Sequence, residues 1–175
     1  MKKLLLIAVF FIAYNSNAQV TKNLGDFDNV KVFDKMNVKL IAASENKIVI
    51  SGDRESEVEV VNKNGELKIR MPFPKLLSGD AITVKLYFKR LESINASEGS
   101  YISSDYTFKQ TSLEVNAKEG SEIKVKVDVQ KVNVKANSGG IVEVSGDALN
   151  QNVVITSGGI LKATDLHTSQ TSISV

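Results

Sequence analysis

Apolar and polar residues alternate along most of this chain, and beyond residue 90 the alternation itself repeats. Glycines recur at Gly99, Gly120, Gly139 and Gly158, at separations of 21, 19 and 19 residues. Before each glycine the apolar positions align as Ile94, Val115, Val134, Val153 and Ile173, and after each glycine as Ile102, Ile123, Val142 and Leu161. Single polar residues separate the apolar ones, which is the period of a β-strand with one buried face. The pattern therefore predicts short strands joined by glycine turns.

A repeat of about 20 residues built from short strands and glycine turns is typical of a β-solenoid, whose coils stack at about 4.8 Å. We therefore predict an all-β fold in which residues 91–175 form solenoid coils of about 19–21 residues each. One outward column contains Ser103, Lys124, Glu143 and Lys162, which places Lys, Glu and Lys on successive coils. The final "TSISV" begins another strand with no turn after it, so we expect a chain truncated at its C-terminus.

The N-terminal part, residues 19–90, lacks this period but is also strand-like. The segments "EVEVV" and "ELKIR" flank Asn62–Gly65, which is a strong signal for a hairpin turn. Both prolines lie in Pro72–Asp80, which is typical of an exposed connection. We predict that residues 19–90 form a β-strand and hairpin cap that shields one end of the solenoid, because stacked repeats require such a cap.

Residues 1–18 have the pattern of a secretory signal peptide. Lys2 and Lys3 precede the apolar run Leu4–Ala13, and a polar stretch leads to a cleavage site after Ala18. The apolar run has ten residues, about half of the ~20 that a membrane-spanning helix needs, and no later segment comes close. We therefore predict an exported protein without a transmembrane segment after cleavage, located in the periplasm, on the outer-membrane surface or outside the cell.

Charge and cysteine content narrow the function classes further. The chain has 22 basic and 20 acidic residues, and removal of Lys2 and Lys3 would leave 20 of each. A neutral surface argues against nucleic acid as a partner, because nucleic-acid binding requires a concentrated basic surface. The absence of cysteine excludes a disulfide framework and lipid attachment to an N-terminal cysteine, so stability must come from burial of apolar side chains.

The sequence contains only weak indications of a catalytic or metal-binding site. We predict no catalytic, cofactor-binding or metal-binding residue and no cofactor. His167 is the only histidine, so a zinc site or a histidine-dependent triad lacks its parts, and we expect a loop or outward residue. Three "SGD" tripeptides, 51–53, 78–80 and 145–147, raise calcium as an alternative, but Gly-Asp at a turn explains them. Glu98 and Glu119 should lie on adjacent turns, and paired carboxyl groups would suit a retaining glycosidase.

Several segments together resemble a known family. They are "FDNVKV", "IVISGD", "NGELKI", "LESINASEGS" and "VEVSGDALNQNVVITSGGILKATDL", and the resemblance runs from Leu24 to the last residue. The chain is similar to the exported bacterial proteins of the autotransporter-adhesin head GIN domain family, whose turns are of the Ser-Gly-Ser-Gly type. The resemblance implies a right-handed parallel β-helix, with further coils and a "YKGNP"-like tail that is absent here. It supplies no catalytic residues that could be transferred.

Three functions remain as hypotheses. The first is an exported, non-catalytic, adhesin-like solenoid of the cell envelope or surface that binds glycans or envelope proteins through flat faces of Ser, Thr, Asn and Lys. The second is a purely structural envelope protein, since a polar face is also what any solvated sheet needs. The third is a polysaccharide hydrolase that uses Glu98 and Glu119. The sequence does not decide the oligomeric state.

Overall fold

The computed structural model describes residues 19–175, and the predicted signal peptide lies outside them. The described chain is all-β, with a single turn of 3-10 helix at Glu55–Glu57. Its thirteen strands are β1 Gln19–Asn23, β2 Asn29–Val32, β3 Asn37–Ala42, β4 Lys47–Gly52, β5 Glu59–Lys63, β6 Glu66–Arg70, β7 Ile82–Phe88, β8 Ser93–Ala96, β9 Tyr101–Lys118, β10 Glu122–Asn137, β11 Ile141–Ile155, β12 Ile160–Lys162 and β13 Leu166–Ser174. In this part of the chain no helix has the length and hydropathy needed to cross a membrane.

The strands stack in parallel as a β-solenoid of about four turns. The register is the one that the repeat predicts: Ile94 pairs with Val115, Val134 with Val115 and Val153, and Val153 with Ile173. The second apolar column, from Ile102 to Leu161, is confirmed in the same way. Alternation between buried and exposed residues follows this register, so each coil contributes one layer to a shared apolar interior.

Strands of the N-terminal part belong to the same parallel ladders. Strand β2 lies between β6 and β8, and β3 lies between β7 and β9. The antiparallel strands β4 and β1 extend the sheet beyond β7. Strands β5 and β6 form the hairpin predicted at Asn62–Gly65, where Asn64 and Gly65 both have positive φ. Parallel stacking therefore includes β2, β3, β6 and β7, whereas β1, β4 and β5 pair antiparallel at the edges of the sheet.

One edge of the stack is a column of tight turns. The paired residues at each turn both have positive φ, as at Glu98 and Gly99 or Ser138 and Gly139. The turns are joined by backbone hydrogen bonds: Lys35 N–H to Glu98 O (2.9 Å), Gly99 N–H to Glu119 O (2.9 Å), Gly120 N–H to Ser138 O (3.1 Å) and Gly139 N–H to Ser157 O (3.2 Å). The ladder of strands thus continues through the turns, and each coil is tied to the next along its whole length.

Strand β9 departs from the regular 19-residue spacing. Lys124 pairs with Ser103 and Lys126 pairs with Thr107, so β9 has two more residues than β10 between these pairs. Tyr106 lies in this bulge and packs edge-on against Phe88 and Phe108, whose rings stack on each other at 5.5 Å. Phe88 and Phe108 are buried in the interior at this point, whereas Tyr106 is 42% exposed and covers the edges of their rings.

Candidate functional site

The outward column predicted from the repeat carries an ion pair. Lys124 and Glu143 are directly opposite on adjacent strands, and the Lys124 ammonium lies 2.6 Å from the Glu143 carboxylate. Lys162 is in the same column but its ammonium lies 3.8 Å from Glu122. These contacts confirm the predicted register and charge order on this face, and they leave it a mixture of opposite charges with no concentrated ligand site.

A second outward face carries one side-chain amide on each of four successive coils. It is formed by the last segment of each coil, and we call it the amide face. Its two neighbouring columns are Ser93, Glu114, Asn133, Asn152 and Ser172, and Asn95, Asn116, Lys135, Val154 and Ser174. Because the columns follow strand pairing, chemically similar groups recur at the spacing of the coils, about 4.8 Å.

Hydrogen bonds between coils hold the amide groups of this face in place. Asn116 donates its Nδ2–H to Oδ1 of Asn95 at 3.3 Å, and Asn152 donates likewise to Asn133 at 3.2 Å. The Lys135 ammonium donates to the Glu114 carboxylate at 3.2 Å. Asn95 already donates both Nδ2 hydrogens, to the Val30 carbonyl at 3.4 Å and to Ser93 Oγ at 2.9 Å. Asn133 and Asn152 keep further donor and acceptor capacity. The face is therefore ordered before any ligand arrives.

Two grooves run along the amide face. One has a volume of about 490 Å³ and is bordered by Arg90, Glu92, Gln110, Glu114 and Asn133, among others. The other, of about 290 Å³, is lined by Glu114, Asn133, Val134, Lys135, Asn152 and Val154. Because Glu114 and Asn133 line both grooves, the two form one shallow polar path across several coils.

A third groove, of about 430 Å³, lies at another corner of the coils and contains His167. Lys109, Asp128, Asp147 and His167 are in register on consecutive strands. The Lys109 ammonium lies 3.4 Å from the Asp128 carboxylate. His167 is an exposed residue of β13, as expected of an outward residue. Within residues 19–175, no group of three or more His, Cys, Asp or Glu side chains is arranged to hold a metal ion.

The "SGD" tripeptides divide into two kinds. Residues 51–53 and 78–80 lie at or next to turns, as the Gly-Asp explanation predicts. The explanation is wrong for residues 145–147, which lie inside β11. There Gly146 has φ +104° and its backbone lies so close to the Val127 carbonyl that no side chain fits. Close contact between coils, not a turn, accounts for this glycine.

Glu98 and Glu119 lie on adjacent turns, as the 21-residue offset predicts. Burial raises the pKa of the Glu98 carboxyl, and the nearby Asp34 carboxylate raises it further. The Glu119 carboxylate lies 3.5 Å from the Lys118 ammonium. Neither glutamate lines the three grooves described above. The pair is thus part of the turn column and lies outside these three grooves.

Sequence reasoning did not single out Asp34, which forms the first turn of the column with Lys35. Both residues have positive φ although neither is glycine. The Asp34 side chain is fully buried, and its two carboxylate oxygens accept hydrogen bonds from Met71 N–H (2.8 Å) and Leu77 N–H (2.7 Å). The signal in the sequence was the spacing of "VKVFDKMNV" around this turn, since apolar residues two apart flank it as they flank the glycine turns.

Comparison with solved structures shows the same fold. A putative adhesin from Bacteroides fragilis superposes with a TM-score of 0.80 at 15% identity, over 90% of this chain and 76% of that one. A putative adhesin from Parabacteroides distasonis gives 0.67 at 17% identity, over 89% and 76% of the two chains. A second protein of that organism, described as a putative lipid binding protein, gives 0.62 at 17% identity, over 91% and 78%.

No curated protein matches the chain. A family model does match it, over residues 26–175, and its description is "Putative auto-transporter adhesin, head GIN domain". The match covers nearly all of the described residues and includes every coil, the turn column and the amide face. The chain therefore belongs to the auto-transporter adhesin head GIN domain family, and it is an adhesin-like protein.

Proposed function

We propose that this protein is exported to the cell envelope or surface and binds an extended glycan along its amide face, without catalysis. The observation that carries the proposal is the set of in-register amides across coils, from Asn95 to Asn116 and from Asn133 to Asn152. Family membership supports the adhesin-like role, and the residues before Gln19 support export.

The chemistry of the face fits a polyhydroxylated chain. A side-chain amide offers two donors and an acceptor, and a sugar hydroxyl likewise donates and accepts. The same amide chemistry recurs from coil to coil, so a polymer lying along the stack meets similar partners at each step. Glu114 and Lys135 add a charged acceptor and donor beside the shallow polar path.

The composition of the face also predicts how strongly it binds. None of the ten residues in its two columns is aromatic, so no ring is available there to stack on a sugar. A neutral hydrogen bond contributes only about 1 kcal/mol net. We therefore expect weak binding of short oligosaccharides and much tighter binding of polymers, through several coils acting together.

The test is binding of the chain from Gln19 onwards to an array of bacterial and host polysaccharides, with mass spectrometry of any released products. The double substitution Asn133→Ala and Asn152→Ala should weaken binding about tenfold or more, since each lost hydrogen bond costs about 1 kcal/mol. Lys85→Ala, on the exposed face of β7, is the matched control and should bind as the unmodified chain does.

Three results would overturn the proposal. The absence of binding to any polysaccharide would leave the structural role in the envelope as the better account. Binding that is equal for the double variant and the control would move the site away from the amide face. Released oligosaccharides whose formation stops with Glu98→Gln or Glu119→Gln would establish a hydrolase.

A further inference from the structure

The connection between β6 and β7 displays an unusual amount of apolar surface. Phe73 is 86% exposed, and Leu76 and Leu77 are each 49% exposed. Together with Pro72 and Pro74 they leave Lys75 as the single charged residue in this six-residue tip. Contiguous exposed apolar groups mark surfaces that contact a protein or a membrane. The apolar interior of the coils does not use these side chains, so packing of the fold does not explain them.

The tip is held by a buried carboxylate at its base. Asp34, in the first turn of the column, binds Met71 N–H and Leu77 N–H with its two oxygens, at 2.8 and 2.7 Å. Gly79 N–H donates to the Asp34 carbonyl at 2.9 Å, which continues the hydrogen-bonded ladder of turns. The connection therefore occupies the place of a tight turn in the first layer of the stack, and both of its ends are fixed.

Several polar groups of the tip are paired within the protein. Lys75 N–H donates to the Pro72 carbonyl at 2.6 Å, and Ser78 Oγ donates to the Lys75 carbonyl at 2.6 Å. The Lys75 ammonium lies 2.8 Å from the Glu57 carboxylate, an ion pair without the geometry of a directed hydrogen bond. Pro72 and Pro74 have no backbone N–H to satisfy. Internal pairing of these groups lowers the cost of moving the segment out of water, because unpaired backbone groups are costly in hydrocarbon.

From this geometry we propose that the segment Pro72–Leu77 inserts into the surface of a lipid bilayer and holds the solenoid against a membrane. Its exposed apolar side chains and partly paired backbone favour the surface layer of a bilayer, where water and lipid headgroups still reach the remaining backbone groups. Lys75, the single charged residue of the segment, is paired with Glu57, so we expect zwitterionic bilayers to serve as well as anionic ones. The contact places the stack with its first layer towards the membrane and the amide face along its side.

Vesicle flotation with the chain from Gln19 onwards tests this proposal. The chain should associate with phosphatidylcholine vesicles, and addition of phosphatidylglycerol or salt should change the association little. The double substitution Phe73→Ser and Leu76→Ser should lower the partition coefficient roughly tenfold or more, in line with the transfer free energy of large apolar side chains. Leu149→Ser removes an isolated leucine that is 56% exposed, and it should have no effect.

A spectroscopic readout locates the contact. The chain has no tryptophan, so Phe73→Trp introduces a single reporter. Its emission should shift to the blue on addition of vesicles and should be quenched by lipids labelled in their acyl chains, whereas Leu149→Trp should show neither change. The absence of flotation, a requirement for anionic lipid, or equal flotation of the double variant would overturn the proposal. Glycan binding by the double variant should persist, so failure here is distinct from failure of the proposed glycan-binding function.

Discussion

At the scale of single residues, the stack depends on positions where neighbouring coils leave no room for a side chain. At Gly146 a Cβ atom would lie 2.1 Å from the Val127 carbonyl oxygen, and φ is +104°. At Gly158 φ is +77°, but a Cβ atom would meet no atom within 4 Å. Both glycines have positive φ, but only Gly146 lacks space for a side chain. Comparing substitutions at the two positions therefore distinguishes the cost of backbone strain from the cost of steric overlap.

Substitution of the two glycines by alanine should therefore have unequal costs. Gly158→Ala should lower the free energy of unfolding by about 1 kcal/mol, which is the strain of a left-handed residue with a side chain. Gly146→Ala should lower it by about 3 kcal/mol or more, since overlap with the neighbouring backbone adds to the strain. Urea denaturation of both variants measures the difference. Equal losses would contradict the close contact between coils at Gly146.

The carboxyl group of Glu98 predicts a pH dependence of stability. Its pKa is raised by burial and by Asp34, so the folded chain binds this proton more tightly than the unfolded chain does. The group therefore favours folding at acid pH, and that contribution is lost as the pH rises through the folded pKa. Glu98→Gln should consequently stabilise the protein at neutral pH, and the gain should shrink as the pH falls.

Asp105 provides a control of opposite sign. Its pKa is lowered by a hydrogen bond from Lys39, so its contribution to stability is present at neutral pH and lost in acid. Asp105→Asn should destabilise the protein at neutral pH, and the loss should vanish as the pH falls through the folded pKa. Urea titrations of both variants at neutral and acid pH measure the two trends. The same trend in both variants would contradict the account of Glu98.

At the scale of elements, the strands and turns of the coils could be predicted because each coil repeats two simple requirements. An apolar residue at every second position and a glycine at the turn are visible without a structure. The first two layers have no glycine turn of this kind. Strands β6 and β7 are joined by the longer Pro72–Asp80 connection, and the turn between β2 and β3 is made by Asp34 and Lys35. A search for the repeating glycine therefore begins counting two layers too late.

The pairing of Lys124 with Glu143 is a direct test of register between elements. A double-mutant cycle with Lys124→Ala and Glu143→Ala should give a coupling energy of about 0.5 kcal/mol, since both groups are partly exposed. The coupling should fall towards zero in about 1 M salt, where the Debye length is about 3 Å. A cycle between Lys124 and Glu114, on the amide face, should show no coupling. Coupling of equal size in both cycles would contradict the register.

At the scale of the whole molecule, the polar composition of the outer faces could be predicted from the sequence. Which of these faces carries the grooves could not be predicted. The repeat gives the columns of Asn, Ser and Lys directly. The grooves also depend on Arg90 and Glu92, which reach the amide face from the connection between β7 and β8. That connection has no repeat, and its position follows only from the assembled stack. In the same way, the sequence predicts that Pro72–Asp80 is exposed, but it does not predict which polar groups of this connection form hydrogen bonds within the protein.

The most direct test of the central claim is the response of the side-chain amides to a bound glycan. In a nuclear magnetic resonance titration with the best polysaccharide from the array, the side-chain amide signals of Asn133 and Asn152 should shift and saturate together. The signal of Asn64, in the hairpin turn, should stay unchanged. Shifts concentrated around His167 or the turn column, with the amide face unaffected, would contradict the account.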